Sequence, residues 1–266
     1  MKTIGVIGCG ALGTIFVTNM QKVLAKSYKV LGVFDVVKES AERLSSSVGC
    51  KAYGAIDELL ADNPDYVVEI AGIPAVKAYA EHILSMSKQL VIVSVGSLAD
   101  DEFRMRLFKT AATAGGRIFI PNGAVGGFDL LQTYSLMGPS KVSIESIKAP
   151  RSLNGAPGLC GRVLPEDHEE VVFEGSVKDA IKGFPKNVNV AVATSIVSSN
   201  PSMTVKIRSV PNLIENCHHI HIQNAIARAE ISVFSKPDSA NPRSSTSAAW
   251  SVIALFHNLA SPVFYF

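Results

Sequence analysis

Three of the chain's six histidines lie within four positions, in the segment NCHHIHI at residues 216–222. An imidazole can bind a metal ion, carry a proton near neutral pH or pack inside a core. If the segment is a strand, His219 and His221 share one face and His218 lies on the other. A metal site would use His219 and His221 together, but no third ligand of matching spacing accompanies them. We therefore predict no metal, and a structural role for these two histidines.

A glycine pattern near the start of the chain suits phosphate binding. Gly8, Gly10 and Gly13 form G-x-G-x-x-G after the apolar run KTIGVIG and before TIFVTNMQKVLA, whose apolar residues have helical spacing. The first glycine allows a tight turn, the second lets a pyrophosphate approach the backbone, and the third lets helix and strand pack closely. The free N–H groups at the helix start, from Ala11 and Leu12 onward, can bind the phosphates. The pattern predicts a dinucleotide site that includes these five residues.

The second predicted strand ends in an acid at the position that recognises a ribose. The run YKVLGVFD ends at Asp35, 22 residues after Gly13. An acid about 20 residues beyond the glycines accepts hydrogen bonds from the ribose hydroxyls. Val36 and Val37 follow, so no arginine is immediately available for a 2′-phosphate. NAD is therefore the favoured cofactor, and Lys38 leaves NADP open.

The elements that must position these residues alternate between strand and helix. DYVVEIAG, QLVIVSVG and RIFIP are predicted strands, and AVKAYAEHILSMS and DDEFRMRLFKTAATAG are predicted helices. This alternation predicts an α/β fold, with a doubly wound parallel sheet of the Rossmann type, over residues 1–121. Small residues at two strand ends, Ala71, Gly72 and Ser94, are expected to line the cofactor crevice.

The pattern changes after residue 121. Residues 122–240 combine a glycine-rich loop with predicted strands such as KVSIESIKAP and TVKIRSV and helices such as NVNVAVATSIVSS. They predict a smaller α+β catalytic and substrate domain with a mixed or antiparallel sheet. The last segment, residues 241–266, contains the apolar helix SSTSAAWSVIALFHNLA. Because a helix that is apolar over most of its face must be buried, we expect it to pack back onto the first domain.

Composition argues against several classes of protein. The 266 residues are 47% hydrophobic and 18% charged, with a net charge of +2. No lysine or arginine run indicates nucleic-acid binding, and no uninterrupted stretch of about 18 apolar residues indicates a membrane span. The first apolar run is too short for a signal peptide. The four cysteines are scattered, which favours free thiols in the cytoplasm over a disulfide framework.

Several motifs resemble those of the L-aspartate dehydrogenase family and occur in the family's order. They are NGAVGGFD (122–129), FEGS (173–176), FPKNVNVA (184–191), ENCH (215–218) and NPRSS (241–245). The resemblance extends from Gly8 to about Leu259, and one mild departure is Arg243-Ser244 in place of Lys-Thr. It implies oxidation of L-aspartate with NAD or NADP to iminoaspartate, which yields oxaloacetate and ammonia or supplies pyridine nucleotide (NAD) biosynthesis. A homodimer or higher homo-oligomer is expected.

The resemblance also implies roles for individual residues. Through the ENCH motif, His218 is the active-site histidine, and imidazole suits proton transfer because its unperturbed pKa is near neutral. Ala124, Asn187 and Asn189 fall where the family binds NAD, although either asparagine could instead cap a helix. Cys217 is not expected to act as a nucleophile with His218, because adjacent strand residues face opposite ways.

An aspartate substrate brings two carboxylates, which need cations if they are buried. The candidates are Lys148, Arg151, Lys186 and Arg243. Two alternatives to the leading hypothesis stay open. One is a related oxidoreductase for another amino-acid-derived substrate, as in homoserine dehydrogenase or dihydrodipicolinate reductase. The other is a non-catalytic NAD-binding sensor, because a fold alone does not establish turnover.

Overall fold

A computed structural model of the chain describes residues 1–185, 188–236 and 245–265. The chain divides into two compact units. The first unit comprises Met1–Pro121 together with Ala248–Tyr265, and the second unit comprises Asn122–Ser247. Among the described residues, no helix has both the length and the apolar character needed to span a bilayer.

The first unit alternates between strands and helices, as its sequence pattern predicts. Its elements up to residue 121 are β1 (Lys2–Ile7), α1 (Ala11–Val23), β2 (Tyr28–Phe34), α2 (Lys38–Val48), β3 (Lys51–Tyr53), α3 (Ile56–Ala61), β4 (Tyr66–Glu69), α4 (Ile73–Ser85), β5 (Gln89–Ile92), α5 (Asp101–Ala114) and β6 (Arg117–Phe119). The strands form one parallel sheet in the order β3-β2-β1-β4-β5-β6. This order is that of the dinucleotide-binding fold, in which ligands bind beyond the carboxyl ends of β1 and β4.

The second unit is built around a five-stranded sheet. Its elements are α6 (Phe128–Leu136), β7 (Lys141–Lys148), α7 (Pro150–Leu153), β8 (Glu170–Ser176), α8 (Val177–Gly183), α9 (Asn189–Val197), β9 (Thr204–Ser209), β10 (Asn216–Gln223) and β11 (Arg228–Ser235). The strand order is β11-β10-β7-β9-β8. Only β7 and β9 pair in parallel, so the sheet is mixed. The two sheets confirm the predicted fold class.

The closing helix, α10 (Ser247–Ala260), contributes to the core of the first unit. Its buried Phe256 contacts the aromatic rings of Phe16, Tyr28 and Tyr66, with ring centroids 5.0–6.1 Å apart. Burying an aromatic side chain among others removes a large apolar area from water. The helix therefore stabilises the sheet that carries the glycine-rich turn.

Alternation along the strands of the second unit separates a buried face from an open one. In β7, Val142, Ile144, Ser146 and Lys148 are all buried, while the residues between them are half-buried. Because successive strand residues point to opposite faces, these four side chains share the inner face of the sheet. Two of the four are polar, so this face carries a polar end.

Candidate active site

The glycine-rich turn between β1 and α1 has the geometry of a phosphate cradle. Gly8 has φ +109°, and a Cβ there would lie 2.7 Å from backbone atoms of Ala71. A Cβ on Gly13 would lie 2.0 Å from the carbonyl oxygen of Gly8, so only glycine fits this contact between helix and strand. A Cβ on Gly10 would meet no atom within 4 Å, which leaves open space above the start of α1. The first turn of α1 has no acidic residue, so its free N–H groups favour an anion.

Asp35 lies beside this turn. Its two carboxylate oxygens accept hydrogen bonds from the backbone N–H groups of Cys9, at 2.7 Å, and Val37, at 2.9 Å. An ionised carboxylate has about four acceptor positions, so each oxygen can accept a further hydrogen bond, for example from a ribose hydroxyl. Asp35 also lines a cavity of about 330 Å³ together with Ala71 and Gly72. The structure thus brings three predicted cofactor residues together.

Glu69, at the end of β4, is a residue that the sequence analysis missed. Its carboxylate accepts hydrogen bonds from the N–H groups of Ala71 and Gly72 at 2.9 and 2.8 Å. Both the N–H and the hydroxyl group of Ser94 also donate to it, at 3.1 and 2.8 Å. Burial raises the pKa of the Glu69 carboxyl group, and these four donors oppose that effect. The carboxylate fixes the two loops in which Ala71, Gly72 and Ser94 were predicted to line the crevice.

In the second unit, His218 lies on the inner face of the sheet, on β10. It is only 3% exposed, and its register partner on β7 is Ser146. The hydroxyl group of Ser146 lies 2.9 Å from His218 Nδ1. Burial, the ammonium group of Lys148 and then His219 lower the pKa of His218 to about 3. The imidazole is therefore neutral at pH 7 in the free protein, because it is buried beside a cation.

Lys148, the last residue of β7, belongs to the same polar end of the inner face. It is 5% exposed, and burial lowers its pKa to about 8. Within the described ranges its ammonium group has no hydrogen bond or ion pair. Its register partner on β9 is Ser209, whose buried hydroxyl likewise has no hydrogen-bond partner in the described structure. We use the term buried polar cluster for Ser146, Lys148, Ser209, Asn216 and His218, each at most 5% exposed.

Of the other three predicted cations, one lies among the described residues. Arg151 is an exposed residue of the short helix α7. Lys186 and Arg243 lie outside the described residues, as does Asn187. Of the four candidates for binding a substrate carboxylate, the structure thus places Lys148 beside His218.

The remaining histidines of the segment lie on the opposite face of β10, as predicted. His219 Nδ1 lies 2.7 Å from the hydroxyl oxygen of Ser232, and its Nε2 lies 3.2 Å from the sulfur of Cys217. Burial raises the pKa of the Cys217 thiol, which keeps it protonated. His221 is half-buried on the same face. Across the described chain, no three His, Cys, Asp or Glu side chains are grouped so as to hold a metal ion.

Two residues assigned to NAD by motif register lie in the second unit. Ala124 lies in the loop before α6, and Asn189 is the first residue of α9. The N-cap position of α9 is occupied by Val188. The alternative that Asn189 caps this helix is therefore wrong, and its contact with NAD stays a prediction.

Comparison with known proteins assigns the chain to a family. A family model described as "Aspartate dehydrogenase, C-terminal" matches residues 129–259, and one described as "Homoserine dehydrogenase, NAD binding domain" matches residues 8–121. L-aspartate dehydrogenase of Methanocaldococcus jannaschii is 36% identical over 99% of this chain and 98% of its own. The chain belongs to the L-aspartate dehydrogenase family.

Solved structures agree with this assignment. The crystal structure of aspartate dehydrogenase from Thermotoga maritima matches with a TM-score of 0.80 and 27% identity, over 100% of both chains. A hyperthermophilic archaeal homoserine dehydrogenase in complex with NADPH matches with a TM-score of 0.62 and 14% identity, again over 100% of both chains. At that identity the second match shows a shared fold only. The family assignment therefore rests on the aspartate dehydrogenases.

Proposed function

We propose that the protein is an NAD(P)-dependent L-aspartate dehydrogenase. It oxidises L-aspartate to iminoaspartate, which hydrolyses to oxaloacetate and ammonia or supplies NAD biosynthesis. The observation that carries the proposal is the buried polar cluster. There the Lys148 ammonium group, which has no partner among the described residues, lies beside a buried, neutral imidazole. In a chain of this family, a buried cation suits an acidic substrate and an adjacent imidazole suits proton transfer.

The first unit supplies the cofactor site. The loop from Gly8 to Gly13 would hold the pyrophosphate, Asp35 the adenosine ribose, and the loops after β4 and β5 the rest of the crevice wall. Ala124, Asn187 and Asn189 are proposed as further cofactor contacts. When bound, the cofactor accepts a hydride from the substrate Cα atom. Asp35 favours NAD, because a carboxylate repels a 2′-phosphate.

The second unit supplies the groups that handle protons and charge. The amino group of L-aspartate must lose a proton before Cα can be oxidised, and His218 is proposed to accept it. Ser146 would hold the imidazole in one orientation through their 2.9 Å contact. Lys148 is proposed to bind a substrate carboxylate. Its buried ammonium group has no other partner in the described chain, so this binding breaks no existing ion pair.

We further propose that the enzyme acts in the cytoplasm as a homodimer or higher homo-oligomer. All four cysteines are free thiols, which suits a reducing compartment. Phe234, on β11, is 61% exposed, and a large exposed aromatic side chain suits a contact surface between subunits.

A panel of substrates and cofactors tests the proposed activity. Reduction of NAD and of NADP would be followed by absorbance with L-aspartate, L-glutamate, L-alanine and L-homoserine. We expect turnover with L-aspartate at least tenfold above the other three. Turnover with L-homoserine alone would support the related oxidoreductase instead. Binding of NAD without turnover of any amino acid would support a sensor.

A further inference from the structure

The buried polar cluster brings donors from three strands to one place. In the pairing of β10 with β7, His218 lies opposite Ser146, and in the pairing of β7 with β9, Lys148 lies beside Ser209. Residues that are partners in register point to the same face of a sheet. All four side chains therefore point to the inner face, where none is more than 5% exposed.

Two members of the cluster have unused hydrogen-bonding capacity. The ammonium group of Lys148 has three N–H donors, and the hydroxyl group of Ser209 can donate one hydrogen bond. Within the described part of the chain, neither group is paired with another side chain or with the backbone. Buried polar groups are nearly always hydrogen-bonded, and a buried charge requires a counter-charge. An oxyanion with several acceptor positions, such as a carboxylate, satisfies both groups.

The cation also acts on the neighbouring imidazole. Burial and then the Lys148 ammonium group lower the pKa of His218 to about 3, so the free protein holds this histidine neutral and weakly basic. An anion bound to Lys148 cancels its repulsion of an imidazolium ion. The elements packed against β10 carry these other titratable or charged side chains: Asp129 and Tyr134 on α6, Lys141 and Glu145 on β7, and Arg228 and Glu230 on β11.

We propose that a carboxylate of the substrate binds Lys148 and Ser209, and that this binding enables His218 to accept the proton from the substrate's amino group. The inference rests on the proposed function and adds an order of events to it. The substrate carboxylate binds to Lys148 and Ser209 first. An N–H bond of the substrate's own ammonium group then breaks, and a new N–H bond forms on the imidazole of His218. An amine without a carboxylate is then a poor substrate, because the imidazole of His218 stays too weakly basic to accept its proton.

Succinate tests this coupling without turnover, because it has two carboxylates and no amino group. The full-length protein is labelled with ¹³C in its histidine rings, and the His218 resonance is assigned with His218→Gln. Without ligand, we expect no movement of this resonance between pH 5 and pH 8. With saturating succinate it should move toward the imidazolium position as the pH falls to 5, corresponding to a gain in proton affinity of about 100-fold or more. Succinamide, which has the same shape without charge, should have no effect.

Variants test the anion site itself. Lys148→Met should weaken succinate binding, measured by calorimetry, by roughly 100-fold, and Ser209→Ala by roughly tenfold. Lys141→Met, on the same strand but exposed, is the matched control and should bind like the wild type. Wild-type affinity in Lys148→Met overturns the anion site, and binding of succinate without movement of the His218 resonance overturns the coupling. Both tests could succeed while L-aspartate does not reduce NAD(P). In that case the proposed function fails, but the coupling between anion binding at Lys148 and the proton affinity of His218 is retained.

Discussion

Replacing Lys148 by methionine should stabilise the free protein while disabling it. Burial lowers the pKa of Lys148 from 10.5 to about 8. One pKa unit corresponds to about 1.4 kcal/mol, so keeping this ammonium group charged at pH 7 costs the folded state about 3 kcal/mol. Methionine has a similar length and no charge, and it should recover much of that amount. The expected gain corresponds to a rise in Tm of roughly 5–10 °C.

The wild type and Lys148→Met should differ in how their free energy of unfolding changes with pH. Between pH 8 and pH 10.5 the unfolded chain keeps the Lys148 proton and the folded chain has lost it. The free energy of unfolding of the wild type therefore rises through this interval, by about 3 kcal/mol from this residue, and Lys148→Met should lack that rise. Urea unfolding at pH 7, 9 and 10 measures both effects.

A lysine on the same strand supplies the control for this experiment. Lys141 is exposed at the other end of β7, so Lys141→Met should change the free energy of unfolding by about 0.5 kcal/mol or less. If Lys148→Met is no more stable than the wild type at pH 7 and shows the same pH dependence, the ammonium group is already paired in the free protein. The argument for an anion site would then be refuted.

Three further variants test separate parts of the site. Asp35→Ser should weaken NAD binding and shift the ratio of kcat/KM values toward NADP, and an unchanged ratio would count against a ribose contact. Glu69→Gln places an amide N–H group among four donors, so it should lose about 1–3 kcal/mol of stability and raise the Kd for NADH in a fluorescence titration; wild-type values for both would show that the hydrogen bonds are unimportant. His218→Gln should lose less stability than the wild type as pH falls from 6.5 toward 3, because the buried imidazole cannot take up the proton that the unfolded chain binds. Parallel stability curves in urea would contradict the depressed pKa of His218.

The sequence predicted the nucleotide fold well because its signals are local. The glycine pattern follows β1 directly and precedes α1, and Asp35 follows β2, so short-range patterns identify the turn and the acid. Helices α2 and α3 and strand β3, between residues 38 and 61, were not predicted. Strand β3 is only three residues long, too short for an alternation pattern to appear.

The buried polar cluster could not be predicted in the same way, because it depends on strand pairing over long distances. Ser146 and His218 are 72 positions apart, and Ser209 joins them only through the parallel pairing of β9 with β7. One local signal was available: in KVSIESIK, Ser146 and Lys148 alternate in phase with Val142 and Ile144. That phase indicates two polar residues on a buried face, but the effect of Lys148 on the pKa of His218 requires the folded arrangement.

The most direct test of the central claim compares two histidines of one strand. In His218→Ala, we expect kcat for L-aspartate to fall by roughly 10²–10⁴, with the Kd for NAD almost unchanged. In His221→Ala, on the opposite face of β10, kcat should stay within about threefold of the wild type. Circular dichroism would establish that both variants are folded. Loss of turnover in a folded His221→Ala protein, with turnover retained in His218→Ala, would contradict the assignment of proton transfer to His218.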